Sequence, residues 1–203
     1  MKFSDIDFSA ISRMMDSMSD EQKEKLNDMA QGMMDTMKTN TEETEEVDFY
    51  TYLQIDEEEY MDLPGNVLDP VEAACDLEQY YEEVPESDFS ASILFLAKAV
   101  LNMVRHYHAP LYKSVLELDK FSNPATTTLY DYLYPLMDEN NIHKLCDEGF
   151  GESSLWVEHK MLLNKVYMAL NRAEYDFIHY ETLQEIKSIL FDQKGLIQIK
   201  NLI

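Results

Sequence analysis

Glycine and proline are scarce, five and six in 203 residues. So few breakers of regular structure exclude a loop-rich or hairpin-rich all-β protein. Cysteine occurs twice, Cys75 and Cys146, at no metal-ligand or redox spacing. That excludes a disulfide framework and a thiolate zinc cage, and suggests idle thiols in a reducing compartment. The opening MKFSDIDFSA has no apolar core, so no export is expected and the cytoplasm is the expected location. The longest apolar run, residues 89–104 with Lys98 inside it, falls short of the roughly twenty residues that cross a bilayer. It reads as a buried helix. Catalytic signatures are missing as well: there is no HExxH, GxSxG, CxxC or glycine-rich phosphate loop.

The sharpest absence is of one charge. From residue 39 to residue 97 there is no Lys or Arg, although eighteen of the forty Asp and Glu lie there. That stretch supplies −18 of a formal net charge of −24. Charge so placed costs self-repulsion, so it concerns a partner more than the fold. It disfavours direct contact with nucleic-acid phosphates or an anionic membrane surface. It favours a basic protein, a cation or plain solubility.

What is present reads as helix. Hydrophobic residues make up 45% of the chain, enough for a core in one domain carrying an appendage. Over residues 5–38, Phe8, Ile11, Met15 and Met18 recur at helical spacing. Ser19-Asp20-Glu21-Gln22 then forms a capping box. Seven methionines fall between Met14 and Met37. They read either as an adaptable binding face or, more plainly, as an amphipathic hairpin on the body. A polar, acidic linker comes next at 39–48, so residues 1–38 form an expected Met-rich helical arm and 39–203 the main domain. Residues 47–55 fit a strand or a helix equally. A turn is expected at Leu63-Pro64-Gly65-Asn66, a helix start at Asp69-Pro70 with Val71, Ala74, Cys75, Leu77 or Glu78 and Tyr81 inward, and a stop at Pro85.

The helix that starts near Ser87 or Asp88 is apolar nearly all round, which places it at the centre of the domain. Pro110 is expected to restart the chain, with Leu111, Val115, Leu116 and Leu118 in a further short helix. Asn123-Pro124 opens another helix, shortened by Pro135. Residues 138–153 read as a polar connection. A helix then carries Leu155, His159, Leu162, Val166, Ala169 and Leu170 inward. A last one runs from about Ala173 to Phe191, with Phe177, Tyr180, Leu183, Ile186 and Leu190 inward, until Gly195 breaks it. Residues 196–203 suit a short strand or an apolar tail. The expected fold is mainly α: an irregular multi-helix domain with an N-terminal helical arm and room for one or two short strands.

The candidate site is acidic and aromatic. Glu45, Glu46, Asp56, Glu57, Glu58, Glu59, Glu82 and Glu83 alternate with Tyr50, Tyr52, Tyr60, Tyr80 and Tyr81. Carboxylates steer a basic partner, and tyrosines provide contact area with a polar tip. The plainer account is a solvated surface with the tyrosines half in the core. It suffices for any single run but less well for a whole segment without a base. No calcium loop fits these acids. His106 and His108 diverge on a helix, and His143, Cys146 and Asp147 lack the second pair a zinc site needs. His159 and His179 read as core or boundary residues. No catalytic residue, metal ligand or cofactor is assigned.

These features lead to the expectation of an acidic helical protein, monomer or homodimer, that occludes a basic protein partner. In composition it is similar to small acidic immunity and antitoxin-type inhibitors. Two other classes remain open. One is a small helical hydrolase using His and carboxylates such as Glu78, Glu82, His106 and Glu158. The other is an adaptor docking through the Met-rich arm.

Overall fold

The computed structural model describes residues 48–82 and 86–203. The expected arm at 1–38, most of the linker after it, Glu45, Glu46, Glu83 and the stop at Pro85 lie outside the described residues. Among those described, the fold is an irregular, mainly α-helical domain without strands.

Local chemistry decides the ambiguous opening in favour of helix. Asp48 accepts hydrogen bonds from the Thr51 N–H at 2.9 Å and the Thr51 hydroxyl at 3.0 Å. This cap starts α1, Phe49–Leu53, and Gln54 at φ 55° closes it. Asp56 caps α2, Glu57–Tyr60, by accepting from the Glu58 N–H at 3.0 Å. Three glutamates then sit at the positive end of that helix.

α3 spans Gly65–Glu82 and starts one turn before the expected Asp69-Pro70. The Pro64 carbonyl accepts from the N–H groups of Val67 and Leu68, so the expected turn is already the helix N-terminus. Pro70 therefore lies inside the helix and cannot donate to the Asn66 carbonyl. The Asn102 side chain donates to that carbonyl instead, at 2.6 Å. The proline's missing bond thus becomes a tie to α4.

α4, Ser90–Ser114, is the central helix that its all-round apolar pattern predicts. It packs against α3 and against four later helices: α5 (Leu129–Leu133), α7 (Ser153–Tyr175), α8 (Tyr180–Lys187) and α9 (Gly195–Asn201). Pro110 does not restart the chain. It is exposed, as is His106, whose carbonyl loses its helical donor on the solvent side. Leu111 therefore still belongs to α4. Two 3₁₀ turns, Asp119–Ser122 and Pro124–Thr126, follow it, so the short helix expected beyond Pro110 is absent and the helix expected from Asn123-Pro124 begins only at Leu129, as α5.

At α5 the Asp131 carboxylate accepts from the Thr128 N–H and hydroxyl. Pro135 then converts the chain to a 3₁₀ turn, Tyr134–Met137. The expected polar connection at 138–153 contains α6, Glu139–Asp147, capped by Asp138 and buried through Ile142 and Leu145. Gly149 at φ 89° ends it, with the Phe150 N–H donating to the Leu145 carbonyl at 3.0 Å.

The expected last helix is broken at residues 176–179. There Phe89 N–H donates to Ile178 O at 3.1 Å, and Ile178 N–H donates to the Asp88 carboxylate at 3.0 Å. These bonds join the start of α4 to the start of α8. Phe177 and Tyr180 are consequently 42% exposed, whereas Leu183, Ile186 and Leu190 are buried as expected. After a π turn, Ser188–Asp192, Lys194 at φ 55° redirects the chain. The apolar tail then forms α9, burying Leu196, Ile197 and Ile199. Gly195 starts this helix rather than ending the last. A Cβ there would strike Leu162 Cδ1 and lie 2.5 Å from the Ile189 carbonyl oxygen.

Candidate functional site

The folding of α1, α2 and α3 concentrates acids around one tyrosine. Tyr50 is half-buried on α1. Its phenol pKa is raised by burial and then by the charges of Glu57, Asp48 and Glu72. Those carboxylates come from the first turn of α2, the cap of α1 and the middle of α3. On α3, Asp69, Glu72, Asp76 and Tyr80 recur every three or four residues and are all exposed. Val67, Val71, Ala74, Cys75 and Glu78 take the buried side. The result is an outward row of carboxylates ending in Tyr80, 73% exposed. Tyr81 braces Tyr80 edge-on at 5.1 Å and itself rests against Phe89 at 6.3 Å.

The remaining candidates divide. Glu57 and Glu58 are exposed, and Asp56 is exposed while capping α2. Glu59 is half-buried and meets the Lys194 ammonium at 2.8 Å. Tyr52 lies under Lys187, whose Nζ is 4.7 Å from the ring centre. Tyr60 is a correction. It is only 1% exposed and packs 6.3 Å from the Phe191 ring, so it is a core residue and no docking side chain. Its phenol is pushed up to about 12, by burial first and then by Glu59 and Asp192. The alternation that placed Tyr60 beside acids at the surface assumed outward aromatics, but α2 turns its fourth residue inward. Glu82 forms the end of α3.

Glu78 is the functional group that periodicity only half revealed. It occupies the inward stripe of α3 and is 1% exposed. One carboxylate oxygen accepts from Gln184 Nε2 and the other from Lys187 Nζ, both at 2.6 Å. Lys187, in the last turn of α8, also faces the negative end of that helix. The pair clamps α3 to α8. Burial pushes the neighbouring Cys75 thiol up to about 12, with Lys187 pulling the other way, so this cysteine is not activated.

The hydrolase candidates go to separate places. Glu78 is committed to the clamp, and His106 is exposed on α4. Glu158 lines a recess of about 310 Å³ with Lys165 and Gln193. Cys146 on α6 has its thiol pKa raised by burial and by Asp147 and Glu152. Among the described residues, no group of three or more His, Cys, Asp or Glu is placed to hold a metal ion.

Two histidines are buried together. The rings of His108 on α4 and His159 on α7 lie 4.7 Å apart at 81°, beside Trp156. His108 Nε2 is 2.9 Å from the Ile199 carbonyl, which makes that nitrogen the N–H. His159 finds no hydrogen-bond partner among the described residues. Burial drives His108 down to about 4, against the pull of the Ile199 carbonyl. His159 is driven well below its ordinary range by burial and then by His108. Both rings are therefore neutral core aromatics at neutral pH.

No helix among the described residues is long and apolar enough to cross a membrane. No family model, curated protein or solved structure matches the chain.

Proposed function

We propose that this chain binds and occludes a basic protein through the outward face of α1–α3, in the manner of an immunity or antitoxin-type inhibitor. It acts in the cytoplasm, as a monomer or homodimer, without direct contact to nucleic acid. The observation that carries this reading is the exposed row of Asp69, Glu72 and Asp76 along α3, ending in Tyr80, beside the exposed Asp56, Glu57 and Glu58 at the start of α2. Charges of one sign accelerate encounter with an oppositely charged protein and select against acidic ones. Tyr80 and Tyr50 supply the contact area that charges alone do not. The buried Glu78–Lys187 pair holds α3 against the body, and α2 is anchored by the buried Tyr60. A face ordered in advance loses less entropy on binding.

The test is capture from host lysate, then association kinetics. A basic protein retained at low salt and released by about 0.5 M salt, where charges are screened within several ångströms, is the expected result. Replacing Glu57, Glu58, Glu72 and Asp76 with their amides should then slow association about ten-fold and flatten its salt dependence. Association that is unchanged in the amide variant overturns the reading.

A further inference from the structure

A second surface has the opposite character and stands independently of the acidic face. Residues 89–116 contain no Asp or Glu. Within them, Leu94, Lys98, Leu101 and Arg105 succeed one another at steps of four, three and four, forming one stripe along α4. The stripe is one wall of a cavity of about 520 Å³, whose other wall includes Leu129 and Leu170. Among the described residues no carboxylate lines it, and its charged groups are Lys98 and Arg105.

Arg105 is fixed in place. Its Nη2 donates to the Ala125 carbonyl at 3.0 Å and to the Thr127 carbonyl. Its buried Nε–H finds no partner among the described residues. Lys98 is exposed and able to reorient, with Nζ 6.0 Å from the Phe95 ring centre. The volume lies in the range of about 300–1,000 Å³ typical of small-ligand sites, which are mostly apolar with a few polar groups that set orientation.

We propose that this groove binds a single-chain amphiphile with a carboxylate head, the class of straight-chain fatty acids. The alkyl chain lies along Leu94, Leu101, Leu129 and Leu170, and the carboxylate is taken by Lys98 with Arg105 beside it. Charge complementarity selects this occupant. Two cations in an apolar, acid-free cavity favour an anionic head over a neutral or cationic one. The protein's net negative charge acts on such a ligand only weakly, because fields beyond about 8 Å are screened at physiological ionic strength.

The probe is dodecanoate, titrated calorimetrically into the full chain below its micelle concentration. Decanoate, dodecanol and dodecyltrimethylammonium are compared with it. Dodecanoate should bind at one per chain, with about a ten-fold gain over decanoate for the two added methylenes. It should bind at least about ten-fold tighter than dodecanol, because a charge-assisted bond is lost with the alcohol. Lys98→Glu and Leu94→Glu alter exposed positions, Leu94 being 46% exposed, and each should abolish binding without shifting the melting temperature. Should either variant melt early, Lys98→Gln replaces it, with an expected weakening of about ten-fold. Equal affinity for the three head groups, or binding that survives both charge substitutions, overturns the assignment. So does displacement of dodecanoate by an acidic amphipathic peptide at equal concentration, or self-association that Leu94→Glu removes.

Discussion

α3 and α4 lie side by side, yet they turn opposite surfaces outward. α3 buries Val67, Val71, Ala74 and Cys75, adds polar ties through Glu78 to Lys187 and Gln184, and faces outward with a row of acids. α4 has no acid at all and is the more deeply buried, with Ala99, Val100, Met103, Val104 and Tyr112 at 0% exposure and with His108 and Tyr112 donating to the Ile199 and Tyr132 carbonyls. A helix can thus present a dense single-sign surface when its other side is both buried and tied by a few polar bonds. Its acid-free neighbour supplies the core and is exposed only at Leu94, Lys98, His106, Pro110, Lys113 and Ser114.

The comparison breaks most severely at the clamp. Lys187→Met leaves the Glu78 carboxylate buried without its cation and should destabilise the protein by about 3–5 kcal/mol. Chemical denaturation measures this. Adding Glu78→Leu should recover most of the loss, since a packed apolar pair often replaces a buried ion pair at little cost. No recovery would mean that the clamp contributes more than charge pairing.

The next effect belongs to α4 and depends on pH. The folded-state pKa of His108 is depressed to about 4 from an ordinary 6.5. The unfolded chain therefore takes up the proton first as pH falls. Stability is complete above about 6.5 and is lost progressively down to about 4, on the order of 3 kcal/mol from this residue. His159, shifted in the same direction, adds to the loss. Melting temperature measured from pH 7.5 to 4 should fall through that window, and more shallowly in His159→Phe.

A smaller change sharpens the contrast at the shared boundary. Asn102→Ala removes the donor that replaces the Pro70 N–H, and should cost about 1 kcal/mol. Pro70→Ala in that background restores a helical donor to Asn66 and should recover much of it. The smallest effect on stability is expected at the outer face. Tyr80→Ala should shift it by less than about 0.5 kcal/mol, while weakening capture of the basic partner by ten-fold or more.

The same physics governs how much the sequence disclosed. The centrality of α4 was legible, because a helix apolar on every side has only one place to go. The inward faces of α3 and α7 were legible from spacing, with Leu155 as an exception at 39% exposure. α6 was not, since Ile142 and Leu145 are too few to set a period and the Asp138 cap lies among other polar residues. The breaks at 110 and 173–180 were misplaced because Pro110 lies on the solvent side and because the bonds that halt the chain at 178 come from Asp88 and Phe89. For the candidate site, the acids and tyrosines were legible as composition. Their convergence on Tyr50, the loss of Tyr60 to the core and the Glu78–Lys187 pair were not, because each depends on a partner supplied by another helix.

Gly195 carries a consequence for inheritance. The space its Cβ would occupy is taken by Leu162 and the Ile189 carbonyl. Every missense change at that codon adds at least a Cβ, so no step away from glycine is a small one. In a library of all single substitutions, codon 195 should be among the least forgiving of the whole gene, while the carboxylates along the outside of α3 drift freely whenever no partner is there to select them.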